Sequence, residues 1–420
     1  MTDGNHPLQN LISDRTMAEE LAKTFGTPLY VYEATRLKKN SHRLYEALSR
    51  SFPEHQICFA LKANSNPRII EIMLNTVPSL GADCSSPGEL YLAQKLDIPA
   101  ERCIYTGNYE SPDELRTALE SGIHLNLDDS SSYLRLRKIG KPREISFRLN
   151  PGFGKGRFPA IVTAGQKAKF GIPREKIIEA YRLALNDGVT QFGLQCMTGS
   201  GNLDSGYFLE LLTVILTVAK DIEESLRISF RYISMGGGFG IPYKPGESPL
   251  DFMELFENLG NTFDLYYDRN SPNAPTLFIE PGKSLVADAG FIISRVTGIK
   301  KSYKQFVGLD AGMNTLLRPA LYNAYHRLLK IGEPEVPVMW TADVTGGICE
   351  DTDRLAVDRK LPDLKEGDLV AIMDTGAYGY VMSNTYNTRP RAAEVLLEKG
   401  KARLIRKRET IEDIFASCNW

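Results

Sequence analysis

Lys62 closes the apolar run CFAL and is followed at once by the polar stretch ANSN and by Pro67. At the end of a strand, its amine stands where a core meets water. Partial desolvation favours the neutral form of a lysine, and a neutral amine is a nucleophile that adds to an aldehyde to give a Schiff base. Surface lysines after strands are common, so the meaning of Lys62 comes from the residues that accompany it. Two glycine-rich stretches, TGSGN (198–202) and SMGGGFG (234–240), offer closely spaced backbone N–H groups and the Ser200 hydroxyl. On neighbouring loops these donors could cradle one phosphate dianion, through Ser200, Gly236, Gly237 and Gly238. Tight turns would use the same glycines, but the dinucleotide fingerprint G-x-G-x-x-G does not fit, because Ile241 stands at its third glycine.

Other residues extend the chemistry. Glu280 ends an apolar run before Pro281, Gly282 and Lys283; a carboxylate there could keep a pyridine nitrogen protonated and make the ring an electron sink. Asp83 and Ser85 end another run, and Asn150 a third. RPALY sets Arg318 and Tyr322 four residues apart, on one face of a helical turn. The guanidinium fork matches a carboxylate, and it would serve equally to pack one segment on another. GGICEDTD places Cys349 beside Glu350, Asp351 and Asp353. A free thiol, with its ordinary pKa near ~8.5, is protonated at neutral pH and can hand that proton to a carbanion. A small buried hydrophobe is the other reading of such a cysteine. The three carboxylates beside it call for water or a cationic partner. Tyr378, in the loop DTGAYGY, could lie beside a ring or a phosphate, or simply pack.

These residues must be held together by something, and the pattern between them says what. Strand-like runs QICFAL, SLGADC, RCIYT, IHLNL, EISFRL, QFGLQC, RYISM and TLFIE alternate with amphipathic segments from PRIIEIMLNT to SPLDFMELFENLGNTF, several opening on Pro, Ser or Asp. Eight such parallel βα units predict an α/β fold, a (β/α)8 barrel over residues 34–282. In such a barrel the C-terminal strand ends meet at one mouth, so Lys62, Asp83, TGSG, GGGFG and EPG become neighbours. From 283 to 420 the texture changes to β-branched and aromatic runs between Gly, Asp and Asn turns, which predicts a second, mostly antiparallel β domain. PLYVYEATRL reads as an earlier strand, within residues 1–33, that joins it.

Composition narrows the class. With 420 residues the chain can build two cores, and 50 basic against 52 acidic residues, net charge −2, leave no electrostatic footprint for nucleic acid or anionic membrane. Five histidines and six scattered cysteines without a CxxC pair argue against a metal site, a disulfide framework or a histidine-centred triad. No leader signature or membrane-length apolar run is visible, so a cytoplasmic protein with free thiols is expected, its chemistry carried by a cofactor.

The ordered motifs ALKAN, RLNPGFGKG, KFGI, GGGFGIPY, EPGK, DAGMN, RPALYNAYH, CEDTD and TGAYG, spread over residues 27–410, closely resemble the fold-type III pyridoxal-phosphate decarboxylases, and among them the diaminopimelate decarboxylase branch. The resemblance implies an alanine-racemase-like barrel with a C-terminal β domain. Lys62 would hold pyridoxal 5'-phosphate covalently. Asp83, Ser200, Gly236, Gly237, Gly238, Glu280, Pro281, Gly282, Lys283 and Tyr378 would bind the cofactor, and Lys283, Arg318, Tyr322, Glu350 and Tyr378 the substrate. Cys349 would return a proton to the substrate carbon. It implies a homodimer in which Cys349 and Glu350 act in the partner subunit's site, and conversion of meso-2,6-diaminopimelate to L-lysine and CO2. Decarboxylation of ornithine, lysine of either hand, or arginine is the alternative. Three positions depart from the usual family pattern: Met197 replaces a histidine, Lys283 an arginine and Asp351 a serine.

Overall fold

The computed structural model describes residues 12–420; the first eleven residues, which open both the segment read as free of a leader signature and the expected N-terminal strand region, lie outside the described residues. After β1 (Leu29–Glu33) come β2 (His55–Ala60), β3 (Gly81–Cys84), β4 (Ile104–Thr106), β5 (His124–Leu127), β6 (Glu144–Asn150), the two-residue β7 (Ile172–Pro173), β8 (Gln191–Cys196), β9 (Phe230–Ser234) and β10 (Thr276–Ile279). All pairings from β2 to β10 are parallel, β5 pairs with β6, and β10 pairs with both β9 and β2, so eight strands close into a barrel while β7 only flanks β6. The expected barrel is present, strand for strand. The runs were readable because barrel strands are covered by helices outside and filled inside, so they become nearly continuous apolar segments. Within the barrel, Cys58, Ile104, Tyr232 and Phe278 form a buried cluster.

The intervening helices begin where their capping chemistry dictates. Asn66 caps the helix Pro67–Thr76 by accepting from the Arg68 N–H at 3.1 Å, with Pro67 in the first turn. Ser111 and Glu114 form a reciprocal capping box on Pro112–Glu120. Asp204 caps the 22-residue helix Ser205–Leu226. Sharp helix starts keep the loops after β2, β3 and β5 short, whereas those after β8 and β9, which carry the two glycine stretches, are longer.

The chain divides into two compact units: Asn40–Ile241 with Ser248–Ser284, and the described residues up to Lys39 with Pro242–Glu247 and Leu285–Trp420. The first holds the barrel. The second is built on a nine-stranded mixed sheet to which the later chain contributes β11 (Gly290–Lys301), β12 (Gln305–Leu309), β13 (Leu328–Lys330), β14 (Trp340–Thr345), β15 (Arg354–Leu361), β16 (Leu369–Ile372), β17 (Ala393–Glu398) and β18 (Lys401–Arg406). The early strand β1 lies inside this sheet, antiparallel to β11 and parallel to β17; only that pair and β12–β14 are parallel. Leu29, Val31, Phe291, Ile293, Val395 and Leu397 share a core with Ala18 and Leu21 of the helix Arg15–Phe25. Among the described residues no helix is long and apolar enough to cross a membrane.

Candidate active site

In the barrel unit, neighbouring strand ends bring Lys62, Asp83 and Glu280 together. Lys62 follows β2 in a single helical turn, and its Nζ donates to Asp83 Oδ2 at the end of β3 and, at 3.4 Å, to Ser85 Oγ. Asp83 is fully buried, while the Lys62 side chain keeps 40% of its exposure. Glu280, just past β10, is buried; Ser234 Oγ donates to its Oε1 at 2.6 Å and Gln195 Nε2 to Oε1 and Oε2 at 3.2 and 3.0 Å. Burial, and then the charge of Asp83, push the Glu280 carboxyl up to about 7, while Lys62 pulls it down. The three groups therefore share one electrostatic environment, as expected for residues on neighbouring strand ends.

The two glycine stretches are joined to each other. Gly201 N–H and Asn202 N–H both donate to Gly238 O at 2.9 Å, and Arg157 N–H donates to Ser200 O at 2.9 Å. Glycine is required at Gly236, where φ is +68° and a Cβ would stand 2.4 Å from Cys196 O, and at Gly237, where it would stand 2.1 Å from Glu280 O. Lys283 Nζ donates to Ser200 Oγ at 3.0 Å, so its buried ammonium faces the same loop as the hydroxyl. Met197, at the position of the family's histidine, uses its thioether to accept the Gly237 N–H at 3.3 Å. Buried Arg148 fixes the start of that loop by donating to Met197 O at 3.0 Å.

The second unit holds the remaining candidates in two groups. Arg318 and Tyr322 open and close one short helix, as the spacing predicts. Arg318 is buried, and its Nη1 donates to Tyr243 OH at 3.2 Å and to His326 Nε2 at 3.0 Å. His326 Nδ1 lies 2.7 Å from Met373 O. A carbonyl only accepts and a guanidinium only donates, so His326 is the neutral Nδ1–H tautomer. Tyr322 OH donates to Met382 Sδ at 3.4 Å, and burial raises its phenol pKa. Tyr378 is half-buried in a left-handed backbone conformation, φ +55°.

Cys349 and Glu350 are exposed, on a turn between β14 and β15. Of the three carboxylates beside the thiol, two are exposed to water. Asp351 is paired with Arg354 at 2.5 Å, and Glu350 is bonded by Tyr386, whose phenol pKa rises as a result. Asp353 differs from that expectation: it is buried, accepting Met313 N–H at 2.6 Å and Ile348 N–H at 2.7 Å. It organises the turn instead of lining a site. Asp353→Ala leaves two donors without their acceptor, a cost of about 2–4 kcal/mol. Hydrogen exchange should show protection around residues 346–353 lost at unchanged protection in the barrel; equal protection in both would contradict the assignment.

A family model described as pyridoxal-dependent decarboxylase, pyridoxal binding domain, matches residues 38–287. The chain belongs to the pyridoxal-dependent decarboxylases. Within that family it is closely related to diaminopimelate decarboxylases: the one from Methanothermobacter thermautotrophicus is 40% identical over 403 residues, covering 96% of this chain and 94% of the relative. That of Thermoplasma acidophilum is 40% identical over 400 residues, 95% of this chain and 94% of the relative. The crystal structure of diaminopimelate decarboxylase from Helicobacter pylori complexed with L-lysine superposes with a TM-score of 0.86 at 33% identity, over 95% of this chain and 98% of that one.

The family's cofactor is pyridoxal phosphate, and the barrel unit fits it. Lys62 could offer an amine for the aldehyde, Glu280 a carboxylate for the ring nitrogen, and Ser200, Lys283 and the glycine loops donors for the phosphate. Among the buried oxygens of this unit that have no hydrogen-bond partner, Asp83 Oδ1 and Gln195 Oε1 belong to residues of the cluster around Lys62 and Glu280 and can accept from a ligand. Gln195, Ser234, Tyr243, His326, Tyr386 and Asn387 were not singled out by sequence. Gln195 left a signal of its own there, since a polar residue inside an apolar strand must find a buried partner, while Ser234, Tyr243 and His326 lie within the motifs SMGGGFG, GGGFGIPY and RPALYNAYH.

Proposed function

We propose that this chain decarboxylates meso-2,6-diaminopimelate to L-lysine and CO2. The observation that carries the reading is its near-full-length similarity to diaminopimelate decarboxylases together with an intact Lys62–Asp83–Glu280 cluster. Residues 34–282 carry the cofactor, and residues 283–420, with the strand from the first 33 residues, carry groups for the substrate's ends and the proton donor.

Pyridoxal phosphate, when bound, supplies an aldehyde that captures the substrate amine and a protonated ring that draws electrons from the bond to be broken. Lys62 holds the aldehyde, and Asp83 Oδ2 is the base in contact with its Nζ, able to take the ammonium proton that must leave before the nitrogen can act as a nucleophile. Glu280, held by Ser234 and Gln195, keeps a proton on the ring nitrogen. Ser200, Gly236, Gly237, Gly238 and Lys283 bind the phosphate; Asp83, Pro281, Gly282 and Tyr378 complete the cofactor contacts. Arg318, oriented by the neutral His326, takes a substrate carboxylate with Tyr322 and Lys283. Glu350 takes the distal ammonium, and Tyr378 borders the substrate. Cys349 gives its S–H proton to the carbon that loses CO2.

Cys349 and Glu350 act in the partner subunit of a homodimer; their exposure on this chain supports that arrangement. The reaction is cytoplasmic, a setting that keeps such a thiol reduced. An added carboxylate at Asp351 would suit the purely cationic distal end of ornithine, lysine or arginine, but Arg354 pairs with it at 2.5 Å. With meso-diaminopimelate as sole substrate, purified holoprotein should release equimolar CO2 and L-lysine. Absence of lysine, with turnover of ornithine, arginine or lysine instead, would reverse the assignment.

A further inference from the structure

The segment Tyr386–Arg389 grips the turn that carries Cys349 through Tyr386, Asn387 and Arg389. Asn387 Oδ1 accepts the Cys349 backbone N–H at 3.0 Å, and Asn387 Nδ2 donates to Cys349 Sγ at 3.1 Å. Arg389 Nη2 donates to Gly347 O at 2.8 Å, and Tyr386 is bonded to Glu350. Holding this shape requires an unusual backbone: Asn387 and Thr388 are consecutive residues at φ +56° and +57°. Asparagine tolerates that region, but a β-branched threonine in it is strained, and strain of this kind is kept where it serves a site.

The amide is oriented by its own bonds. Because Oδ1 is committed to a backbone N–H, the end that meets sulfur is the NH2, and sulfur is the acceptor. We infer that Asn387 is a positioning residue for proton delivery by Cys349: it turns the S–H away from the amide and stabilises the negative charge left on sulfur. In that step the S–H bond breaks, a C–H bond forms at the substrate carbon, and the S–H electron pair stays on sulfur until solvent returns a proton. The inference rests on Cys349 as proton donor, the reading proposed above.

Asn387→Asp separates holding the turn from donating to sulfur. It keeps an oxygen for the Cys349 N–H and places a second, non-donating oxygen at the sulfur; Asn387→Ala removes both contacts. In holoenzyme, kcat should fall about tenfold or more in both variants with KM within twofold. The iodoacetamide alkylation rate of the Cys349 peptide, followed against pH by mass spectrometry, should be displaced to higher pH with an unchanged plateau, further in Asn387→Asp than in Asn387→Ala. The exposed Cys418 serves as internal control. Cys349→Ala should lose at least as much kcat, and adding Asn387→Asp to it should cost nothing more. If Cys349→Ala lowers kcat but Asn387→Asp leaves both kcat and the alkylation curve at wild-type values, the inference is overturned alone. If Cys349→Ala keeps wild-type kcat, the proton-donor reading falls and takes the inference with it.

Discussion

Lys62→Ala lowers turnover by about 10³-fold or more, and the same loss follows from Lys62→Arg. The pair of variants divides two roles that one side chain combines. Lys62 neutralises a carboxylate with 1% exposure, so alanine leaves Asp83 buried and unpaired, at a cost of several kcal/mol or a captured proton. Arginine keeps a cation for Asp83, yet its guanidinium stays protonated and cannot add to an aldehyde. Stability should therefore fall in the alanine variant and remain near wild type in the arginine variant, while both are inactive. Thermal unfolding of the apoproteins beside steady-state assays checks this. Activity within tenfold of wild type in Lys62→Arg would mean that charge, not nucleophilicity, is what position 62 supplies.

Glu280→Gln is the second large effect. A neutral carboxamide cannot hold a proton on a ring nitrogen by charge, so kcat should fall about 10²–10³-fold with little change in KM. The same substitution has a signature without substrate. Burial raises the folded-state pKa of Glu280 to about 7, from an ordinary value of 4.5. A group raised in this way adds stability that is complete below 4.5 and is lost as pH climbs through 7, because the folded state holds a proton the unfolded state has released. Asp374, buried and likewise pushed up to about 7 mainly by burial, acts in the same window within the second unit. Apoprotein unfolding temperature should thus fall from pH 5 to 7.5, less steeply in Glu280→Gln and least in the double variant with Asp374→Asn. A slope untouched by either change would show that these carboxyls are not buried as described.

The barrel was legible because its strands are covered on both sides, and each apolar run ends at a polar residue followed by a helix start. Lys62, Asp83 and Glu280 could be ranked together for that reason: strand ends in a barrel are neighbours by topology, however far apart in sequence. The supporting contacts were not legible. Asn387 reaches Cys349 across 38 positions between two irregular loops, and His326 meets Arg318 through a backbone turn, so no periodicity links either pair. Asp353 shows the reverse difficulty. Its neighbours in sequence suggest a carboxylate that needs water or a cation, but its hydrogen bonds from the Met313 and Ile348 N–H groups make it the anchor of the turn. Asp351, which replaces the family's serine, is held locally by its pair with Arg354.

Capture of the coenzyme aldehyde is assigned to the amine at position 62. Borohydride reduction of the protein reconstituted with pyridoxal phosphate, followed by peptide mapping, should place the pyridoxyl mass on the peptide that contains Lys62 and on no other. A pyridoxyl group found on Lys283 or elsewhere, or an unlabelled protein that still binds the coenzyme, would contradict it.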